Sequence, residues 1–202
     1  MLLQKFITKI RKIIEMSKLN ELKVTRVRNV KLPTRATSGS CGYDVYMCND
    51  IVRLDMVKTF EITKIQPRVD YDINSGYLKN LFIGPHESAV IPSGIKVKVP
   101  EGYVLKVENK SSVAATKGLL VGSCVIDQDY EGEILINLNN VSDKKIAVIN
   151  PGDKIAQLVL YRCETPDIVE VATPVELFKG SNSERGEGGF GSTDRPTGIT
   201  NV

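Results

Sequence analysis

The chain of 202 residues has no tryptophan, one histidine and four cysteines. Each scarcity closes off a class of chemistry. None of Cys41, Cys48, Cys124 and Cys163 forms a Cys-x-x-Cys pair, and no histidine stands near one, so there is no zinc signature. Free thiols in an intracellular reducing compartment, cytoplasm or nucleus, are the expectation. His86 lies between Gly84-Pro85 and Glu87-Ser88, a turn-like surround that suits an exposed structural role. General-base work therefore falls to a carboxylate. No apolar run is long enough to span a bilayer. Acidic residues are scarce at the start. Through Arg35 there are ten Lys/Arg against two Asp/Glu, and beyond it 17 against 22. The formal charge of +3 thus does not describe a basic body. Only the N-terminal segment could attract nucleic acid or membrane, and no stable nucleic-acid binding is expected.

What is present is a globular composition, 42% hydrophobic and 25% charged, sized for one domain with extensions. Residues 5–18 set Phe6, Ile7, Ile10, Ile13 and Ile14 at helical spacing among Lys5, Lys9, Arg11 and Lys12. We read residues 1–20 as a short helical extension, an accessory surface; a targeting peptide or membrane-surface helix is the alternative. From Leu22 the pattern changes to short strands. Val24, Val27 and Val30 run to Pro33, and Tyr43-Asp-Val-Tyr46 follows a Ser/Gly turn. Ile95, Val97 and Val99 alternate with Lys96 and Lys98. Pro100-Glu-Gly102 turns the chain into Tyr103–Val107. Ile134, Ile136 and Leu138 alternate again, and turns at 142–145 and 150–153 lead into 146–149 and 155–161. Short strands with regular turns predict an all-β barrel or sandwich over residues 21–179. Residues 49–82 are less regular, with a strand-like piece Thr59–Ile65 and turn signals at Pro67 and Asn74-Ser-Gly76. They read as an insertion, a second accessory surface. Residues 180–202 are a Gly/Ser-rich arm, flexible by composition.

The stretch Gly122-Ser-Cys-Val-Ile-Asp-Gln-Asp-Tyr-Glu-Gly-Glu133 lies between two apolar runs, 119–121 and 134–138. It predicts a β-hairpin whose arm presents Asp127, a candidate general base, close to the ring of Tyr130, a packing platform. In the arm, Arg185-Gly-Glu-Gly-Gly-Phe-Gly-Ser-Thr193 combines a cation, Gly backbone amides and hydroxyls that suit phosphate, with Phe190 suited to stacking on a base.

Five segments in this order resemble the five motifs of the trimeric dUTPases: Gly42-Tyr-Asp-Val-Tyr46, Lys110-Ser-Ser-Val-Ala114, Gly122–Glu133, Gly152-Asp-Lys-Ile-Ala-Gln-Leu158 and Arg185–Thr193. The resemblance spans residues 22–193. It implies a jelly-roll fold, a homotrimer with sites at subunit boundaries, and hydrolysis of dUTP to dUMP and pyrophosphate with Mg²⁺. That reaction limits uracil incorporation into DNA and supplies dUMP for dTTP synthesis. By position, Asp127 matches the carboxylate that activates water at the α-phosphorus. Tyr130 matches the ring under the deoxyribose that leaves no room for a 2′-hydroxyl. The backbone of Cys124, Val125 and Ile126, with Leu135, matches the part that reads uracil. Lys110, Ser111, Ser112 and Gln157 match phosphate contacts. Arg185, Phe190, Gly191, Ser192 and Thr193 match the closing arm. Asp44 matches an acid that meets the metal through water.

The physical logic runs the same way. Mg²⁺ and cationic groups screen the repulsion between a carboxylate base and a triphosphate, and Mg²⁺ prefers oxygens largely supplied by water and phosphate. Two positions depart from the pattern. Lys110 replaces the usual Arg and loses the two-point fork. Cys124 stands where Gly is frequent and would be strained only at positive φ. A dCTP deaminase or bifunctional relative on the same fold is the first alternative. A nucleotide-binding regulatory module with weak turnover is the second.

Overall fold

The computed structural model describes Gln4 and residues 21–51, 68–184 and 186–188. The basic segment 5–18 and the piece Thr59–Ile65 lie outside the described residues. The chain divides at Thr165/Pro166 into two compact units, earlier than the boundary at 179 read from composition.

In the first unit alternation builds the strands. In β6 (Ile95–Lys98), Ile95 and Val97 are buried while Lys96 and Lys98 are exposed. Its partner is β1 (Lys23–Arg26), with Val24 opposite Val97. Three further sheets contain only antiparallel pairs among the described residues. The first runs β5 (Ser88–Pro92), β10 (Leu135–Asn140), β8 (Leu119–Val121). The second runs β11 (Ala147–Ile149), β4 (Leu78–Ile83), β3 (Arg68–Tyr71). The third runs β2 (Tyr43–Tyr46), β12 (Lys154–Arg162), β7 (Tyr103–Glu108), β9 (Val125–Ile126). Their inward faces share one core that includes Ile91, Leu105, Ile136, Leu138, Ile149 and Leu158.

Three features differ from the sequence expectation. Part of the interval 49–82 belongs to the body, because β4 pairs with both β3 and β11 and buries Leu78, Leu81 and Ile83. Strand β5 went unnoticed because four of its five residues are buried, which erases alternation. A short helix, α1 (Ser111–Lys117), interrupts the strands and ends at Gly118, whose φ of 67° lies in the left-handed region.

In the second unit the helix is α2 (Pro174–Leu177). Pro174 opens it, and Thr173 Oγ1 accepts from Glu176 N–H at 3.2 Å as the N-cap.

Candidate active site

Strands β8 and β10 form the expected hairpin, with Val121 opposite Leu138 and Gly122 N–H donating to Asn137 O at 2.9 Å. Asp127 and Tyr130 are not on its arms, however. After Gly122 the chain leaves this sheet and, as β9, pairs with β7 in another. Ile126 faces Leu105, Val125 faces Lys106, and Val107 N–H donates to Cys124 O at 2.8 Å. The reason lies in the side chains: Ile126 is buried and fastens the loop to the core, leaving Val125 and Asp127 exposed on either side.

A turn follows, with Tyr130 N–H donating to Asp127 O at 3.3 Å. The Tyr130 hydroxyl then donates to Glu133 O at 2.8 Å, folding the ring back over Gly132. A Cβ at position 132 would lie 2.3 Å from that hydroxyl oxygen, so a larger residue there would push the Tyr130 ring out of this place. Val125, Ile126, Asp127, Tyr130, Ile134 and Leu135 together line a pocket of about 240 Å³. Five of these six were named from the sequence. Ile134 was not, because a buried strand residue carries no polar signal. A roomier hollow of about 410 Å³ lies on the β1–β6 side of Tyr130, lined by Lys23, Lys96 and Lys98 among others, but Asp127 is not in its wall.

The first, second and fourth motif segments meet elsewhere. Asp44 on β2 sits opposite Gln157 on β12. Gln157 Nε2 donates to Asn109 O at 2.9 Å, next to Lys110 and the exposed hydroxyls of Ser111 and Ser112 that begin α1. Asp44 is 3% exposed. Lys110 Nζ lies 2.8 Å from its Oδ1, and Lys154 Nζ 2.7 Å from its Oδ2. Burial pushes this carboxyl up, but the hydrogen bonds and charges of Lys110 and Lys154 outweigh it and hold the group below its ordinary range. Asp44, expected near a metal's water shell, thus lies between two ammonium groups, and Lys110, expected on phosphate, is one of them. Lys117 ties the end of α1 to the turn before β12 through Asp153 Oδ2 at 2.8 Å and to β11 through Val148 O at 2.6 Å.

None of Lys110, Ser111, Ser112 and Gln157 lines the Asp127 pocket. Cys124 contributes its carbonyl to β7 and points no side chain into that pocket wall. Arg185, Phe190, Gly191, Ser192 and Thr193 lie outside the described residues. Among the described residues no three of His, Cys, Asp and Glu are close enough to share a metal ion.

The family model for dUTPase matches residues 58–194. This chain belongs to the dUTPase family. It is 33% identical over 176 residues to the deoxyuridine 5′-triphosphate nucleotidohydrolase of Hydrogenobaculum sp. (strain Y04AAS1), covering 86% of this chain and 97% of that protein. To the Mus musculus enzyme of the same name it is 38% identical over 125 residues, 62% of this chain and 72% of that one. Among solved structures, the dUTPase of Staphylococcus bacteriophage 80alpha with dUPNHPP superposes with a TM-score of 0.63 at 25% identity, covering 86% of this chain and 98% of that chain. A variant dUTPase from phage phi11 of S. aureus, described with a structural Mg(II) ion, reaches a TM-score of 0.57 at 23% identity, covering 77% of this chain and 99% of that one. The antiparallel sheets are thus the jelly roll of the dUTPases.

Proposed function

We propose that the protein hydrolyses dUTP to dUMP and pyrophosphate, with Asp127 as the general base. The observation that carries this reading is the single pocket shared by Asp127, Tyr130, Leu135 and the Val125–Ile126 backbone. Strand β9 is the outer strand of its sheet, so its far edge can offer backbone donors and acceptors to a nucleobase. Uracil fits there, with Leu135 crowding the 5-position and Tyr130 packing under the sugar. Asp127 takes a proton from a water molecule. The water oxygen bonds to the α-phosphorus, and the bond from that phosphorus to the bridging oxygen breaks, its electron pair leaving with pyrophosphate.

Lys110 positions this machinery through Asp44, while Ser111, Ser112 and Gln157 contact phosphate. Their separation from the Asp127 pocket within one chain fits a homotrimer whose sites are completed across subunit boundaries. The fifth-motif segment, from Arg185 to Thr193, is assigned to phosphate and, through Phe190, to the base. Mg²⁺ suits these residues as an ion carried by the triphosphate and water, since it dehydrates reluctantly and asks few protein ligands. When bound it would screen the charge of the phosphates.

The test is pyrophosphate release from dUTP, dTTP, dCTP and UTP, with and without Mg²⁺, by the wild type and Asp127→Asn. Turnover of dUTP alone, dependent on Mg²⁺ and reduced by roughly 10³-fold or more in the variant, is expected. Ammonia release from dCTP would indicate a deaminase instead. Binding of dUTP without pyrophosphate would indicate a regulatory module.

A further inference from the structure

The end of the Asp127 loop is anchored by a residue 105 positions earlier in the chain. Arg28 Nε donates to Glu133 Oε1 at 2.8 Å, and Nη2 donates to Oε2 at 3.0 Å, a two-point fork. Gly94 N–H adds a third bond to Oε1 at 2.8 Å. Gly94 is held in turn. Its φ is +73°, an added Cβ would fall 2.7 Å from Val30 Cγ1 and 2.8 Å from Cys48 Sγ, and its carbonyl accepts from Val27 N–H at 2.8 Å. The neighbouring Ile134 is pinned on both sides, its N–H to Ile95 O and its carbonyl to Ser93 N–H, each at 3.0 Å. Glu133's own carbonyl receives the Tyr130 hydroxyl. Contacts therefore run unbroken from Arg28 through Glu133 to the ring of Tyr130, although neither Arg28 nor Glu133 lines the pocket.

We propose that the Arg28–Glu133 pair fixes the Tyr130 ring in the Asp127 pocket and thereby sets how strongly the enzyme prefers a deoxyribose over a ribose. The inference rests on the sugar-packing role given to Tyr130 above. Its physical basis is that two anchors hold one loop. Asp127 is placed by the β9–β7 pairing and the buried Ile126. Tyr130 is placed from the other end by Glu133. Side-chain walls discriminate by occupying volume, so a ring free to rock admits a 2′-hydroxyl while the base stays where it was. Arg28 and Glu133 are positioning residues; neither touches substrate. A mere structural prop would lower stability and turnover for both nucleotides alike. This pair changes the ratio between them.

The experiment measures kcat and KM for dUTP and UTP in the wild type, Arg28→Lys, Glu133→Gln, Tyr130→Phe, Tyr130→Ala and the Arg28→Lys/Tyr130→Phe double variant. Arg28→Lys keeps the charge and loses the fork; Glu133→Gln keeps the shape and loses the charge. Tyr130→Ala is expected to remove most of the selectivity. Arg28→Lys and Glu133→Gln each lower the dUTP-to-UTP ratio of kcat/KM by roughly tenfold, while kcat for dUTP stays within roughly twofold, and Tyr130→Phe lowers the ratio by a similar factor. Arg28→Lys adds nothing further once the hydroxyl is gone, because both changes cut the same connection. Tyr130→Phe alone removes the link to Glu133 and carries the test should a variant at Arg28 or Glu133 fail to fold. Unchanged ratios in these three variants, with selectivity lost in Tyr130→Ala, overturn the positioning role and leave the sugar role standing. So do additive effects in the double variant. An unchanged ratio in Tyr130→Ala overturns the sugar role and this inference with it.

Discussion

Asp44 is stabilised as a carboxylate by folding, between Lys110 and Lys154. Its folded value lies below the ordinary 3.8, so the contribution is present above that pH and disappears as pH falls through the lower folded value. From the other partner the sign reverses. Lys154 is raised by its hydrogen bond to Asp44, so its share is present below 10.5 and lost as pH rises through the higher folded value. Replacing Asp44 by Asn leaves two ammonium groups facing a neutral amide. Urea unfolding at pH 7 is expected to show a loss of roughly 1–3 kcal/mol, at the modest end because Lys154 is partly solvated. Repeated at pH 3, the variant should differ less from the wild type, since below 3.8 the unfolded chain takes up the proton and the carboxylate's contribution to stability begins to fall. The two departures from the family pattern also bear on this scale. Lys110 makes a single ammonium contact to Asp44, one that requires no fork. Among the described residues His86 is the only non-glycine with positive φ, so Cys124 bears no backbone strain. His86 is exposed beside Asp143, as its turn-like surround suggested. Cys48 is the inert thiol of the set, pushed up to about 12, chiefly by burial.

The loop between β8 and β10 does its work by switching sheets. It carries β9 to β7, then returns through Tyr130 and Glu133 to the strand that closes the hairpin. A hairpin was legible because Leu119–Val121 and Ile134–Leu138 are apolar runs around a turn-rich stretch. The switch was not, because its cause is the burial of one residue, Ile126, against Leu105, 21 residues away in sequence. Helix α1 was illegible for a related reason. It buries Val113 alone, too little to produce a helical period. Strand β10 lies between β5 and β8 and carries the fully buried Leu138. Leu138→Ala is expected to destabilise by about 2–5 kcal/mol in chemical denaturation, the range for a core cavity.

For the whole molecule the charge division matters more than the total. The lysine-rich start is followed by a net acidic remainder, and the second unit begins at Pro166. If the site is completed between subunits, assembly and the terminal segment should be separable. Truncation before Arg185 is expected to leave the proposed trimer intact by light scattering yet lower kcat/KM for dUTP by roughly 10²-fold or more, since it removes the segment proposed above to contact the phosphates and the base. A monomer after truncation would place the assembly contact in the removed residues.

Residue chemistry by itself determined the carboxylate at Asp127, the ring at Tyr130, the alternating strands and the all-β class, because these follow from side-chain type and short-range period. Tertiary structure alone decided which residues share a pocket. It sent β9 to a different sheet, set Asp44 between Lys110 and Lys154, and brought Arg28 across 105 positions to Glu133. Such contacts depend on how sheets stack around a common core, and no local pattern of residues encodes that stacking.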